Sequence, residues 1–286
     1  VIRTVLRRLA FSPLAACLLV VLSVTAGVPE VVEPDGLTWE VIGRSTDGWP
    51  LQAYRFGDGD VQVALIGGIH GGYEWNSALL AYQVIDYFTT YPRRVPASIT
   101  LTVVPVANPD GLGAVVGQSG PFSSAEIEAA PRDSRLNGNG VDLNRNWDCN
   151  WSPTGRWGVR IVSGGTAPFS EVETRILRDL LTAGPMDAVI FWHSSVPGVY
   201  PGGCGGPTPA ARALAETYAE AAGYPQYDSF AAYPIAGDAS NWLASQGIPA
   251  IIVELTDHVD TDWDQNLAGV RAVLWSLARR PGWEPD

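Results

Sequence analysis

His70, Glu74, His193 and Glu254 are the residues whose types and settings could do chemistry together. His70 lies in LIGGIHGGYEWNSALL, residues 65–80, between pairs of glycines, with Glu74 close behind it. The chain has only 3 histidines, so one at the end of an apolar run needs a reason. Two histidines and one carboxylate suit a catalytic zinc, which keeps its remaining position open for water. Taken singly, His70 reads as a turn histidine and His193 as a buried one bonded to a neighbour. Taken with Glu74, they read as the ligand set of a single zinc. His258, in Thr256-Asp257-His258, lacks such a setting and reads as a surface or supporting residue. A hydrolase also needs a base for its water. Glu254 closes the apolar run PAIIVE, where desolvation should raise its pKa toward a useful range. The alternative for Glu254 is a buried pair with an arginine. The segment SRLNGNGVDLNRNW, residues 134–147, adds Arg135, Asn144 and Arg145. Arginine forks bind carboxylates and stabilise developing oxyanions.

Such residues need a frame. Apolar runs at Leu51–Phe56, Val61–Gly67, Ile99–Val106, Asp187–Trp192 and Ala250–Leu255 read as strands. The later ones are continuous rather than alternating, as in strands buried on both faces. Helical patterns lie between them: Trp75–Phe88, Glu171–Leu181, Ala210–Ala222, Ala239–Ser245 and Asp264–Arg279. In the first, Leu79, Leu80, Gln83, Val84 and Tyr87 share a side. Ser170 with Glu173 has the letters of a capping box. The alternation implies an α/β three-layer sandwich with a mixed, largely parallel central sheet. Residues 108–168 show little periodicity and much Gly, Asn and Pro, and read as a long functional loop region. His70, Asn108-Pro109-Asp110, His193 and Glu254 each follow a strand. Ligands of open α/β sheets bind beyond the carboxyl ends of strands, so these groups should meet in one site.

Bulk properties narrow the partners. Net charge is −12, with 30 acids against 18 bases, which argues against a nucleic-acid backbone. Every base is arginine, so Schiff-base, pyridoxal phosphate and P-loop chemistry are excluded. Arg3, Arg7 and Arg8 precede an apolar run from Leu14 to Val24, and Val24-Thr25-Ala26 has the pattern of a cleavage site. Residues 1–26 are expected to be a signal peptide, with retention of residues 9–28 as a membrane anchor as the alternative. Leu14-Ala15-Ala16-Cys17 has lipobox letters, but the apolar run continues past it. A secreted or extracytoplasmic location follows, with a short lead-in over 27–36 and one domain over 37–286. Export makes a Cys149–Cys204 disulfide the expectation over two unpaired thiols.

At this point the residues resemble the zinc carboxypeptidases of the carboxypeptidase A type, over roughly residues 38–280. GGIHGGYEW looks like their first zinc motif, and FWHSS like the segment of the third ligand. VANPDG and GVDLNRNW match internal motifs, DLNRNW most specifically. YPIAGDASNWLASQGIPAIIVEL resembles the stretch from the mobile tyrosine to the catalytic glutamate. The resemblance implies His70, Glu74 and His193 as zinc ligands and Glu254 as general base. It implies that Arg135 polarises the scissile carbonyl, and that Asn144 and Arg145 hold the terminal carboxylate. Tyr233 would close over the substrate, and Ser240 would lie at the base of the side-chain pocket, with Asp238 as a source of charge there. The implied reaction is removal of C-terminal residues from peptides. A zinc amidase or cell-wall peptide hydrolase on the same fold, and a non-catalytic peptide binder, are the rivals. One departure stands out. The family usually has two residues between its first histidine and its glutamate, whereas here Gly71, Gly72 and Tyr73 intervene. Paired glycines could absorb the extra residue as a bulge.

Overall fold

A computed structural model describes residues 31–32 and 37–279. The expected signal peptide, its anchor alternative and most of the lead-in lie outside the described residues. One sheet has eight strands. They are β1 (Val31–Val32), β2 (Leu37–Arg44), β3 (Pro50–Phe56), β4 (Val61–Ile66), β5 (Ile99–Val104), β8 (Ala188–Ser194), β9 (Gly198–Pro201) and β10 (Ala250–Leu255). A separate hairpin joins β6 (Thr154–Trp157) to β7 (Arg160–Ser163). The sheet order is β1-β2-β3-β5-β4-β8-β10-β9. Its centre, β5-β4-β8-β10, is parallel, and antiparallel strands flank it on both sides. The helices are α1 (Trp75–Thr90), α2 (Pro109–Val116), α3 (Val172–Thr182), α4 (Pro209–Ala222), α5 (Ala239–Ser245) and α6 (Trp263–Ala278).

The pleat explains the layers. Val63, Leu65, Ile190, Trp192, Ile251 and Val253 point to one face and pack with α1, α4 and α6. Ala64, Ile66, Val189, Phe191 and Ala250 point to the other and pack with α3 and α5. Every residue of β8 is buried, so its continuous apolar run serves both cores. Each such side chain contributes about 1.5–3 kcal/mol by leaving water. This is the expected three-layer sandwich with a mixed central sheet.

Several local readings are corrected. The buried side of α1 runs through Ala78, Leu80, Ala81, Val84, Ile85 and Phe88; Leu79, Gln83 and Tyr87 are only half-buried. Counting from Leu79 therefore rotated the face toward the helix flank. The Ser170–Glu173 capping box does not form. The Ser170 hydroxyl donates to Glu171 Oε1, and the Glu173 carboxylate accepts from Thr46 N and Asn137 Nδ2. A tertiary partner outcompetes the local cap. The region 108–168 is not all loop: Pro109 starts α2, and Asn108 caps it by accepting from Gly111 N. In the lead-in, Val31 and Val32 pair with Trp39 and Thr38. β2, β9 and the β6–β7 hairpin carry no period that marks them in the apolar runs.

Cys149 and Cys204 form a disulfide with Cα atoms 5.5 Å apart and a sequence separation of 55. Among the described residues no helix is long and apolar enough to cross a membrane. Closing a loop of that length restricts the unfolded chain by about 4 kcal/mol in the entropic account. Replacing both cysteines with serine should lower the melting temperature in calorimetry by several degrees and leave the secondary structure intact. An unchanged melting temperature would mean the bridge restricts the unfolded chain little.

Candidate active site

The carboxyl edge of the sheet builds one cavity of about 440 Å³. β8 and β10 are parallel and in register, with His193 opposite Glu254. Both follow the parity of Phe191 and Ala250, so both side chains leave the sheet on the second face. His70 arrives at the end of β4 after two glycines. Gly68 adopts φ +60°, a region glycine reaches without cost.

The spacing departure resolves locally. Gly71–Glu74 forms one turn of 3₁₀ helix before α1. Gly71 sits at φ +51°, and a Cβ there would lie 2.6 Å from Ser134 O and 2.7 Å from Gly111 Cα. A Cβ on Gly72 would meet Val115 Cγ2 at 2.3 Å. The extra residue is thus taken up by a tight turn pressed against α2 and the Arg135 segment. His70 Nδ1 then stands 2.8 Å from Glu74 Oε1. His193 Nδ1 stands 3.1 Å from Glu74 Oε2 and 3.1 Å from His70 Nδ1. Ring nitrogens sharing one zinc at about 2.0–2.1 Å would be separated by about 3.3 Å, so the donor set fits a single ion. His70, Glu74 and His193 are the group that could hold a metal among the described residues.

The charge states suit that use. Burial alone would push the Glu74 carboxyl up, but the His70 charge and hydrogen bonds from His193 and His70 hold it well below its ordinary value. Burial pushes His193 down, against its bond to Glu74. Metal ligation needs an ionised carboxylate and neutral imidazoles, and Glu74 and His193 shift in those directions.

Around these donors lies a second set of groups. Asp142 Oδ2 accepts from Arg135 Nε at 2.8 Å, and its Oδ1 lies 3.4 Å from His70 Nε2. Burial would raise the Asp142 carboxyl, yet the charges of Arg135, Arg145 and His70 keep it well below its usual range. Arg135 Nη1 donates to Glu74 Oε1 at 3.1 Å, and its guanidinium lies 4.8 Å from the Trp157 ring centre. Arg145 is buried and has no carboxylate partner among the described residues. It donates to Asn144 O and twice to Arg156 O. Gly155 leaves room for it, since a Cβ there would be 2.7 Å from Arg145 Cδ. Asn144 Oδ1 accepts from Ala239 N, which leaves its amide nitrogen for the cavity.

Glu254 forms no ion pair among the described residues; its Oε2 accepts from Val196 N at 3.3 Å. Burial, then the Glu74 charge, push it up to about 8. Tyr233 lines the cavity with its ring 5.9 Å from the Arg145 guanidinium carbon. Ser240 also lines it, with its hydroxyl donating to Asp238 Oδ1. Asp238 also accepts from Asn241 N and Asn241 Nδ2 as the cap of α5, so both its oxygens are engaged in holding that helix start.

Asn108 and Asp110 are placed elsewhere. Neither lines the cavity. Asn108 Nδ2 donates to Arg135 O, and Asp110 accepts from Asp47 N and Gly138 N. They hold loops rather than ligand. His258, in contrast, does line the cavity. Asn76 Nδ2 donates to Asp257 O and Asp260 O, so its Oδ1 faces Ser194 and takes that hydroxyl proton. Ser194 Oγ then accepts from His258 Nδ1 at 2.9 Å, and His258 keeps its proton on Nδ1. Tyr73, Trp157 and His258 in the wall, and Asp142 behind His70 and Arg135, are the residues that residue types alone did not flag. For Asp142 a signal existed, its place inside GVDLNRNW.

Comparison with known proteins gives the family of the chain. The zinc carboxypeptidase family model, Peptidase_M14, matches residues 31–263. Carboxypeptidase A2 of Mus musculus is 32% identical over 178 residues, covering 57% of this chain and 41% of that protein. The chain thus spans less than half the length of that relative. Among solved structures, carboxypeptidase A from Helicoverpa armigera has a TM-score of 0.67 at 20% identity, over 87% of this chain and 70% of that one. Murein-tripeptide amidase MpaA from Escherichia coli O157 has a TM-score of 0.56 at 23% identity, over 87% of this chain and 93% of that one. These two likenesses concern the fold. The chain belongs to the zinc carboxypeptidase family.

Two outcomes are expected. Zinc added to metal-free protein should raise its melting temperature, and His193→Ala or Glu74→Ala should remove both that rise and stoichiometric zinc in elemental analysis. A stoichiometric ion retained by either variant would overturn the ligand set. The second concerns acid. Glu74 and Asp142 bind protons more weakly in the folded chain than in the unfolded one. Their stabilisation is therefore full above the ordinary carboxylate range and is lost as pH falls through that range toward their folded values. Asp142→Asn should flatten the acid limb of a stability–pH curve for the metal-free protein.

Proposed function

We propose, with membership of the zinc carboxypeptidase family as the premise, that the chain removes the C-terminal residue of peptides. The observation that carries this reading is Arg145. A buried cation without a carboxylate in contact is costly, and the hydrogen bonds of this one go to carbonyls alone. Their demand leaves one hydrogen on each terminal nitrogen. A carboxylate fits that fork bidentately, and the Asn144 amide adds a donor. A free C-terminus is the matching ligand.

The other residues divide the reaction. When bound by His70, Glu74 and His193, zinc supplies a Lewis acid that acidifies water and polarises a carbonyl. Arg135 directs N–H groups to the carbonyl oxygen, where negative charge develops. Glu254 takes a proton from the attacking water and returns it to the leaving amine. Its burial without a cationic partner suits a group that must be charged and neutral in turn. Tyr233 covers the terminal residue. Ser240, with Asp238 engaged in capping, makes a pocket for an uncharged side chain. The basic and apolar leader read from the sequence, together with the disulfide, supports a reaction outside the cytoplasm. Cleavage of a wall peptide by an amidase is the second reading, because the murein-tripeptide amidase fold is covered almost along its whole length.

The test is a panel of blocked dipeptides with free or amidated ends. Release of the C-terminal residue by the zinc-loaded protein should require the free carboxylate. Glu254→Gln should keep zinc and lower kcat by about 10²–10⁴. Equal cleavage of amidated ends would replace the carboxypeptidase reading with an amidase.

A further inference from the structure

A peptide bound with its carboxylate on Arg145 carries its acyl part past the metal donors. This step rests on the function proposed above. The terminal residue occupies the side of Asn144, Tyr233 and Ser240. The scissile carbonyl lies at the metal donors. Residues on the acyl side then run along the wall that holds Tyr73, Trp157 and His258.

That wall has an unusual charge distribution. Trp157 is the centre of it. Its ring packs edge-on against Tyr73 at 4.8 Å between centroids, and Tyr73 lies 4.7 Å from the His258 ring. Three guanidinium carbons stand within cation–π reach of the same indole: Arg135 at 4.8 Å, Arg160 at 5.6 Å and Arg132 at 5.8 Å. Arg135 is buried and neutralised by Glu74 and Asp142. Arg132 and Arg160 are exposed. Among the described residues neither has a carboxylate at ion-pair distance. Asp133, the acid next to Arg132 in sequence, is exposed and pairs with neither.

Acids outnumber bases by 30 to 18 in this chain, so a surface arginine meets a carboxylate easily. Two unpaired arginines on one indole repel each other and gain only a modest cation–π attraction in return. They come from different elements, Arg132 from the 3₁₀ turn Arg132–Arg135 and Arg160 from the start of β7. Their convergence raises a positive potential where the acyl part of the substrate leaves the cavity. A guanidinium pair of this kind binds a carboxylate.

We infer that Arg132 and Arg160, gathered on Trp157, form an anion-binding subsite that selects peptides with an acidic residue on the acyl side of the cleaved bond. The acidic side-chain carboxylate lies between the two guanidiniums. The terminal carboxylate stays on Arg145. The preferred substrate is thus an acidic peptide with an uncharged end.

The experiment compares blocked tetrapeptides with one fixed C-terminal residue and Glu, Gln or Lys at each of the upstream positions in turn. With the zinc-loaded enzyme, kcat/KM should favour Glu over Gln by about two- to fivefold at one position, with Lys below Gln. The preference should shrink as salt rises. The double variant Arg132→Gln, Arg160→Gln should cleave the Gln peptide as the parent does and lose the Glu preference. Equal cleavage of Glu and Gln peptides by the parent, or a preference that survives in the double variant, overturns the inference and leaves the carboxypeptidase reading standing. If no peptide is cleaved, that reading fails. Fluorescence binding of the same peptides to zinc-loaded Glu254→Gln protein then decides the subsite by the same Glu-to-Gln ratio and its loss in the arginine variant.

Discussion

The in-register parallel pairing of β8 with β10 is the constraint from which the rest of the site follows. It sets His193 beside Glu254, and the pleat sends both to the same side of the sheet. A slip by one residue would turn one of them into the opposite core. The pairing also aims the backbone that follows. Ser194 N donates to Glu74 Oε2, and Val196 N donates to Glu254 Oε2. One strand pair therefore orients a metal donor, a base and the amides that steady two carboxylates. The apolar residues of both strands are locked in the two cores, so this register is held by burial on both faces.

Charge is distributed around that frame unevenly. Asp142 touches Arg135 and approaches His70, and Glu74 reaches both histidines and Arg135. This network is dense enough to keep both acids ionised without water. Arg145 and Glu254 make no hydrogen bond to it. One is a buried cation held only by carbonyls, and the other is a buried carboxyl held only by an amide. Neither arrangement favours the folded state. Unbalanced groups of this kind are expected where a protein keeps polar capacity for a ligand rather than for itself.

Much of the fold was legible because the central strands carry continuous apolar runs that only a doubly covered sheet explains. The metal donors were legible because so few histidines were available and each followed such a run. The upward shift of the Glu254 carboxyl was legible from the apolar strand before it. What was hidden has physical reasons. The face of α1 was misjudged because a helix against a sheet buries a broad stripe, and Leu79 lies at its border. Asn108 looked like a site residue since it ends a strand, but a side-chain amide beside a helix start is as useful for capping. The β6–β7 hairpin was silent because Trp157 gains its meaning from Arg135 and Tyr73, which only tertiary folding brings near. His258 was passed over for the same reason: its tautomer depends on a relay through Ser194 and Asn76, distant in sequence.

The turn Gly71–Glu74 has a consequence for how kinship is judged. The donors occupy workable positions with one more residue between them, because two missing side chains allow the chain to coil tightly against Gly111 and Ser134. A search pattern that counts intervening letters would discard this chain, while one that asks for a pliant loop leading into a helix would retain it. Distance along the polypeptide is therefore a poor measure of ligand geometry wherever glycine supplies slack.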